Sequence, residues 1–199
     1  MKVDLQKITP RQKLMIAKWL RDYRYIMDNW QTDDDDFRKV YYNFYLKARW
    51  AVMSKPGNLN PYFAKLQSIS PEDDLMEIVY DLRNKTESRS YELSLASKLL
   101  HTRNPSSPIY DRKIRNYLFN EENVRFWWHI PNRDSGASRG TSEEEKIRHD
   151  WRELCNWYAA FMKSARKQEW VDWFDTNFSA YKDISDIKKI DFIIFTAQE

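Results

Sequence analysis

The sequence predicts an all-α protein, a single helical domain of about nine or ten helices, and three observations carry that prediction. Only 3 of the 199 residues are glycine, where average usage of about 7% would supply roughly 14. Apolar residues recur at three- and four-residue spacing, as on one face of a helix, and not in alternation. Cap residues stand repeatedly just before a proline or an apolar stripe, as at helix starts. The same glycine scarcity excludes phosphate-cradling loops of the GxxxxGK[ST] or GxGxxG kind, which need two or three glycines within about eight residues. Tight hairpins lean on glycine as well, so an all-β chain is excluded on the same ground.

Thr9-Pro10-Arg11-Gln12 reads as a capped start with Pro at the first helical position and Gln12 completing a capping box, opening a helix that runs to about Asn29. The aspartates at 33 to 36 form an acidic turn suited to the positive end of a second helix. That helix carries Phe37, Val40, Tyr41, Phe44, Ala48 and Val52, and Lys55-Pro56-Gly57-Asn58 is expected to end it. Asn60-Pro61 and Ser70-Pro71 repeat the cap-then-proline pattern and predict a short helix with Phe63, Leu66 and Ile69 and a longer one with Leu75, Ile78, Val79 and Leu82. A fifth helix is expected over about residues 89 to 102, and Tyr110-Asp111 leads into a sixth with Ile114, Tyr117 and Leu118, capped at or near Asp111. Residues 131 to 141 hold two of the three glycines and read as a loop, the best boundary between the body of the domain and a C-terminal helical part. Thr141 with Glu144 predicts a second capping box. Beyond it lie a long helix bearing Ile147, Trp151, Leu154, Tyr158 and Phe161, a helix with Trp170, Trp173 and Phe174, and a last one from about Ser185 with Ile187, Ile190 and Ile194 inward.

Nine Trp, 10 Phe and 12 Tyr offset a shortage of aliphatic residues, since each aromatic side chain buries roughly 150–250 Å². A globular chain is expected despite 32% charged residues. With no long apolar run and no N-terminal signal segment, neither a membrane span nor secretion is expected. The single Cys155 agrees with a reducing, cytoplasmic setting. His101, His129 and His149 stand far apart without ligand-spaced partners, so no metal site is expected.

A net charge of +3 gives no global basic field, and the local distribution says more. Residues 1 to 30 hold seven Lys/Arg against three Asp, and residues 103 to 115 hold four against one. The second stretch leads into a helix N-terminus, where backbone N–H groups attract phosphate. Aromatic and basic residues interleave at Trp19/Arg21/Tyr23/Arg24/Tyr25, at Arg49/Trp50 and at Arg125/Phe126/Trp127/Trp128, a combination able either to stack on unpaired bases or to pack a core.

The most specific local feature is Glu92-Leu93-Ser94-Leu95-Ala96-Ser97-Lys98, followed by Asn104-Pro105 and Pro108-Ile109-Tyr110-Asp111. Lys98 falls between Ala96 and Leu99 on a largely apolar helix, where burial would lower the pKa of its amine and free a nucleophile near neutral pH. Asp111 follows 13 residues later. The two form either a structural ion pair, together with Glu92, Lys188 and Asp191, or a nucleophile and its carboxylate. Of Lys188 and Lys189, one is expected to be solvated.

The lysine helix, the proline loop and the Pro-x-x-Asp at the next helix start together resemble the helix-hairpin-helix superfamily of base-excision DNA glycosylases, including the oxoguanine glycosylases, over about residues 88 to 118. The motifs E-x-S-x-A-S-K and N-P-x-x-P-x-Y-D, with Asp186-x-Lys188-Lys189-Ile190-Asp191-Phe192, also make most of the chain similar to a family of uncharacterised bacterial and phage proteins. Where the glycosylases have a Gly-rich hairpin before the lysine, this chain has Arg89-Ser90-Tyr91-Glu92-Leu93-Ser94. The glycosylase resemblance implies that Lys98 attacks C1′ of a damaged nucleotide and forms a Schiff base. Asp111 would stabilise positive charge on the sugar or handle protons, Trp127 and Trp128 would stack on a flipped base, and Arg103, Arg112, Lys113 and Arg115 would hold the DNA backbone, with no cofactor. The alternative from another class is a non-enzymatic module, such as a phage or host-defence protein, that binds a protein partner.

Overall fold

The computed structural model describes residues 3–47, 53, 56–86, 92–127 and 141–198. Among them nine α-helices follow one another without a strand: α1 (Pro10–Asn29), α2 (Asp35–Tyr41), α3 (Pro56–Ser68), α4 (Leu75–Lys85), α5 (Leu93–Arg103), α6 (Arg112–Glu121), α7 (Glu143–Phe161), α8 (Ala165–Asn177) and α9 (Asp186–Ala197). The expected all-α class is therefore observed. A single π-helical turn, Tyr42–Leu46, continues α2. No helix among the described residues is long and apolar enough to cross a membrane.

Local chemistry sets most of the helix starts. The Thr9 hydroxyl accepts from the Gln12 N–H at 3.3 Å while the Gln12 side chain accepts from the Thr9 N–H at 2.8 Å, the expected reciprocal box. Asp34 caps α2, Asp111 caps α6 and Ser185 caps α9. Two turns take a positive φ without glycine, at Asp33 (49°) and Asn123 (57°). Asp and Asn tolerate the left-handed region best after glycine, which is how a glycine-poor chain still makes these turns.

Four expected boundaries are corrected. Pro56-Gly57-Asn58 opens α3 where it was expected to close the preceding helix, and Pro61 lies inside α3, so Asn60 is not a cap. Proline there costs the helix one backbone hydrogen bond, and the buried Tyr62, Phe63 and Leu66 hold it together. Ser70 likewise caps no helix; its N–H donates to Asp73 at 3.1 Å in a turn, and Asp74 caps α4 by accepting from the Met76 N–H at 2.7 Å. The second capping box is built by Ser142 and Glu145, one residue beyond Thr141 and Glu144, where the serine meets the third glutamate of the first turn. Residues 89–91, the pairing Arg49/Trp50, Ala48, Val52, Lys55, His129 and the loop over 131–140 lie outside the described residues.

One contiguous core draws on every helix, with Ile16, Phe37, Tyr62, Ile78, Leu99, Ile114, Leu154, Trp170 and Ile190 buried in it. Each such aliphatic or aromatic side chain contributes roughly 1.5–3 kcal/mol relative to exposure. α9 packs on α8, α6 and α1, while α5 packs on α3 and α4. The lysine helix α5 and the closing helix α9 are thereby drawn toward the middle of the molecule.

Candidate functional site

α5 is buried on nearly every face, from Leu93 through Thr102, so each polar side chain on it needs a partner. The Ser97 hydroxyl accepts from the Tyr110 N–H at 3.0 Å. The Thr102 hydroxyl donates to the Lys98 carbonyl at 2.8 Å. His101 Nδ1 donates to the Ser107 carbonyl at 2.7 Å, and its Nε2 accepts from the Tyr23 hydroxyl at 3.1 Å. The Ser97–Tyr110 and His101–Ser107 bonds hold the 104–111 segment against α5 and bring Asp111 back beside it. The Tyr110 to Ser97 bond and the Lys98 to Asp111 contact share one register, 13 residues apart.

Lys98 and Asp111 are indeed brought together, with Lys98 Nζ 3.8 Å from Asp111 Oδ2. Asp111 Oδ1 is engaged in capping α6, accepting from the Lys113 N–H at 2.9 Å, and Lys98 Nζ also donates to the Ser94 hydroxyl at 3.2 Å. The lysine side chain is 5% exposed and the aspartate 19%, so the pair reaches solvent on the Asp111 side.

A second pair stands behind the first. Lys188 Nζ lies 3.9 Å from Asp191 Oδ2, and the Tyr158 hydroxyl donates to Asp191 Oδ1. Four rings surround the Lys188 ammonium, Tyr23, Phe44, Tyr45 and Phe192, with centroids at 4.9 to 5.5 Å. Burial lowers the Lys188 amine to about 8, while Asp191 and Asp111 favour its charge and Lys98 opposes it. Burial raises the Asp191 carboxyl to about 6 against the pull of Lys188. Burial first, and the Lys188 charge second, push His101 down to about 3 and leave it a neutral imidazole. The expectation that Lys188 or Lys189 is solvated is corrected: both are buried, and Lys189 meets Asp175 at 2.8 Å and Asp186 at 3.4 Å. The first half of α9 is enclosed all round, so a lysine at either position requires a carboxylate. Glu92 is also buried and lines a small cavity with Asn58, Tyr62 and Leu95.

The expected phosphate-binding residues diverge. Arg103 stacks on the Trp30 ring at 3.6 Å, Lys113 stands 5.6 Å over the Phe195 ring, and Arg115 donates to the Tyr110 hydroxyl at 3.1 Å. Arg112 is exposed at the start of α6. The α6 N-terminus carries the Asp111 carboxylate as its cap, in the position where an anion is favoured by the helix dipole. Trp127 is partly buried, its ring 6.3 Å from that of His149 with Lys146 Nζ 5.6 Å above it. Trp128 lies outside the described residues. In the 19–25 stretch, Trp19 stacks on Phe192 at 6.4 Å, Tyr23 is buried, and Arg24 pairs with Asp183, so that stretch serves the core and its rim.

One residue escaped sequence reasoning. Asp150 is wholly buried on α7; it accepts from the Tyr110 hydroxyl at 2.6 Å and from the Trp127 N–H at 2.5 Å. It ties the residue before Asp111 to one of the expected stacking tryptophans. Its signal was present: position 150 falls three residues after Ile147 and four before Leu154, on the inward face, where a carboxylate is out of place without a partner. Compared with family models, curated proteins and solved structures, the chain matches none.

Proposed function

We propose that the protein engages DNA as a base-excision glycosylase, with Lys98 as the amine nucleophile and Asp111 as its carboxylate partner. The observation that carries this reading is the meeting of Lys98 Nζ and Asp111 Oδ2 at 3.8 Å at the edge of a buried charge cluster. A flipped nucleotide approaches from the Asp111 side, next to the exposed Arg112 and the Trp127 backbone anchored through Asp150. The neutral Lys98 amine attacks C1′. The C1′–N bond breaks with its electron pair leaving on the base, which takes up a proton, and the amine gives a proton to Asp111. Opening of the sugar ring then yields an imine between Lys98 and C1′, which water hydrolyses or which precedes strand cleavage.

Borohydride adds hydride to that imine carbon and fixes the protein on DNA. Wild type is expected to be trapped on duplexes carrying an abasic site or an oxidised base, and Lys98→Ala to lose trapping while still melting cooperatively. If wild type is never trapped across abasic, oxidised-purine and oxidised-pyrimidine duplexes, the assignment fails. The near-complete burial of Lys98 favours a second reading, a protein-interaction module in which the pair ties α5 to α6. Lys98→Ala then lowers thermal stability and leaves DNA affinity unchanged.

A further inference from the structure

We propose that the exposed face of α1 is a docking surface for the phosphate backbone of duplex DNA, with Arg11, Lys18 and Arg21 as its phosphate contacts; this deepens the DNA reading and rests on it for the choice of DNA.

Helical winding sets the face. The exposed positions of α1 are Pro10, Arg11, Leu14, Lys18, Arg21 and Asp28. From Arg11 to Arg21 they step by three, four and three residues, a spacing that keeps them on one side of a helix, while Ile16, Leu20, Tyr23 and Ile26 are buried on the other. The row is about 15 Å long, and one strand of a duplex sets about four phosphates along that distance.

The charge of the row is left over after the chain's own pairing. Several cations elsewhere are matched internally: Lys85 meets Asp81 at 2.8 Å, Arg148 meets Glu144 at 2.9 Å and Arg24 pairs with Asp183. Lys13, on the flank of α1, donates to Asn177 at 2.7 Å. Arg11, Lys18 and Arg21 make no ion pair among the described residues. Asp22 is half-buried and off the row, and the first exposed carboxylate of the helix is Asp28, two turns beyond Arg21. Lys18 and Arg21, like charges three residues apart, weaken the helix slightly, and an anion laid across both removes that repulsion.

Leu14, the one large apolar side chain exposed among the described residues, stands among these cations at 73% exposure. A helix that lies on a membrane presents a whole apolar face. That face of α1 is buried in the core, so the row suits a polyanion of regular charge spacing and not a bilayer.

The row also stands near the candidate site. The Gln12 side chain donates to the Thr196 carbonyl at 2.9 Å, and Trp19 of α1 and Lys113 of α6 both lie against the Phe195 ring, at 6.4 and 5.6 Å. The start of α6, with the exposed Arg112 next to Asp111, is thereby held alongside α1.

The test is binding of an undamaged, fluorescein-labelled duplex of about 20 base pairs, followed by anisotropy from about 50 to 200 mM KCl. In Arg11→Gln/Lys18→Gln/Arg21→Gln the plot of log Kd against log salt is expected to lose a slope of about 2–3, and affinity at about 0.1 M salt to fall roughly 100-fold. Arg152→Gln/Lys163→Gln/Lys182→Gln removes the same charge from other exposed positions and is expected to stay within about threefold of wild type. If the α1 triple variant does not fold, each single change must lower the slope by about one. Equal losses in both triple variants, or an unchanged slope in the α1 variant, overturn the docking surface. A wild type that does not bind the duplex overturns it too, whether or not α1 binds vesicles of phosphatidylcholine and phosphatidylserine. Trapping of wild type on abasic-site DNA with no loss of duplex affinity in the α1 variant sinks this surface and leaves the glycosylase reading. Salt-dependent duplex binding through α1 without any trapping supports the surface and sinks only the glycosylase reading.

Discussion

Replacing Asp150 by Ala tests whether a single buried carboxylate fixes the two segments that flank the candidate site. The side chain is 0% exposed and takes two strong donors, the Tyr110 hydroxyl at 2.6 Å and the Trp127 N–H at 2.5 Å. Asp150→Ala leaves the buried Tyr110 hydroxyl and the partly buried Trp127 N–H without this acceptor, and each orphaned group costs roughly 1–3 kcal/mol. A total near 4 kcal/mol is expected, a large share of the stability of a typical domain. With a urea m-value of about 2–3 kcal/mol per molar, the unfolding midpoint falls by about 1.3–2 M, read by tryptophan fluorescence. Asp150→Asn retains one acceptor and falls in between. The exposed Asp172, whose carboxylate meets only Gln168 at 2.7 Å among the described contacts, supplies the control, since its Ala variant changes stability by less than about 0.5 kcal/mol. Hydrogen exchange adds a local readout, because the Trp127 amide loses protection ahead of the rest of the core. A loss below about 1 kcal/mol in Asp150→Ala, or an amide at Trp127 that stays protected, refutes the claim that Asp150 pins these segments.

Two further predictions concern the buried charges. The Asp191 carboxyl, raised to about 6 in the fold, takes up its proton more readily folded than unfolded. Its contribution to stability is therefore fully present below about pH 4 and is lost as pH rises through about 6, the reverse of an ordinary salt-bridged aspartate. Asp191→Asn removes that dependence, so the stability of wild type relative to the variant should fall by about 2–3 kcal/mol between pH 4 and pH 7.5, measured by urea unfolding at each pH. His101, pushed down to about 3, should stay a neutral Nδ1–H imidazole from pH 8 down to pH 5 in ¹⁵N NMR. A titration midpoint above 5 would contradict the burial and hydrogen bonding described for it.

The sequence disclosed what is local and hid what is assembled. The caps at Thr9, Asp111 and Ser185 were legible because a hydroxyl or carboxylate and the amide it binds lie within three residues of one another. The caps at Ser70 and Thr141 were misplaced because neighbouring side chains competed for the same role, Asp74 in one case and Ser142 in the other. Pro61 misled because tertiary burial of Tyr62 and Phe63 outweighs the hydrogen bond it forfeits. Lys98 and Asp111 were found because one loop joins them. Lys188 and Asp191 were expected only as part of a core ion pair; their ring cage comes from residues more than 140 positions away, at 23, 44 and 45, which no spacing in the chain announces. The arginines of the 103–115 stretch looked like one patch in sequence, but the helix and loop geometry sends Arg103 to Trp30 and Arg115 to Tyr110 and leaves Arg112 exposed.

The π-helical turn at Tyr42–Leu46 gives the charge at position 188 an unusual dependence on chain length. Such a turn arises when one residue is inserted into an α-helix, and deleting one residue there restores regular winding, rotating everything beyond it by about 100°. Phe44 and Tyr45, two of the rings around Lys188, would swing off the ammonium. The inserted residue and the buried lysine therefore form a pair that is gained or lost together: a natural variant one residue shorter in this turn should carry an uncharged side chain where this chain has Lys188.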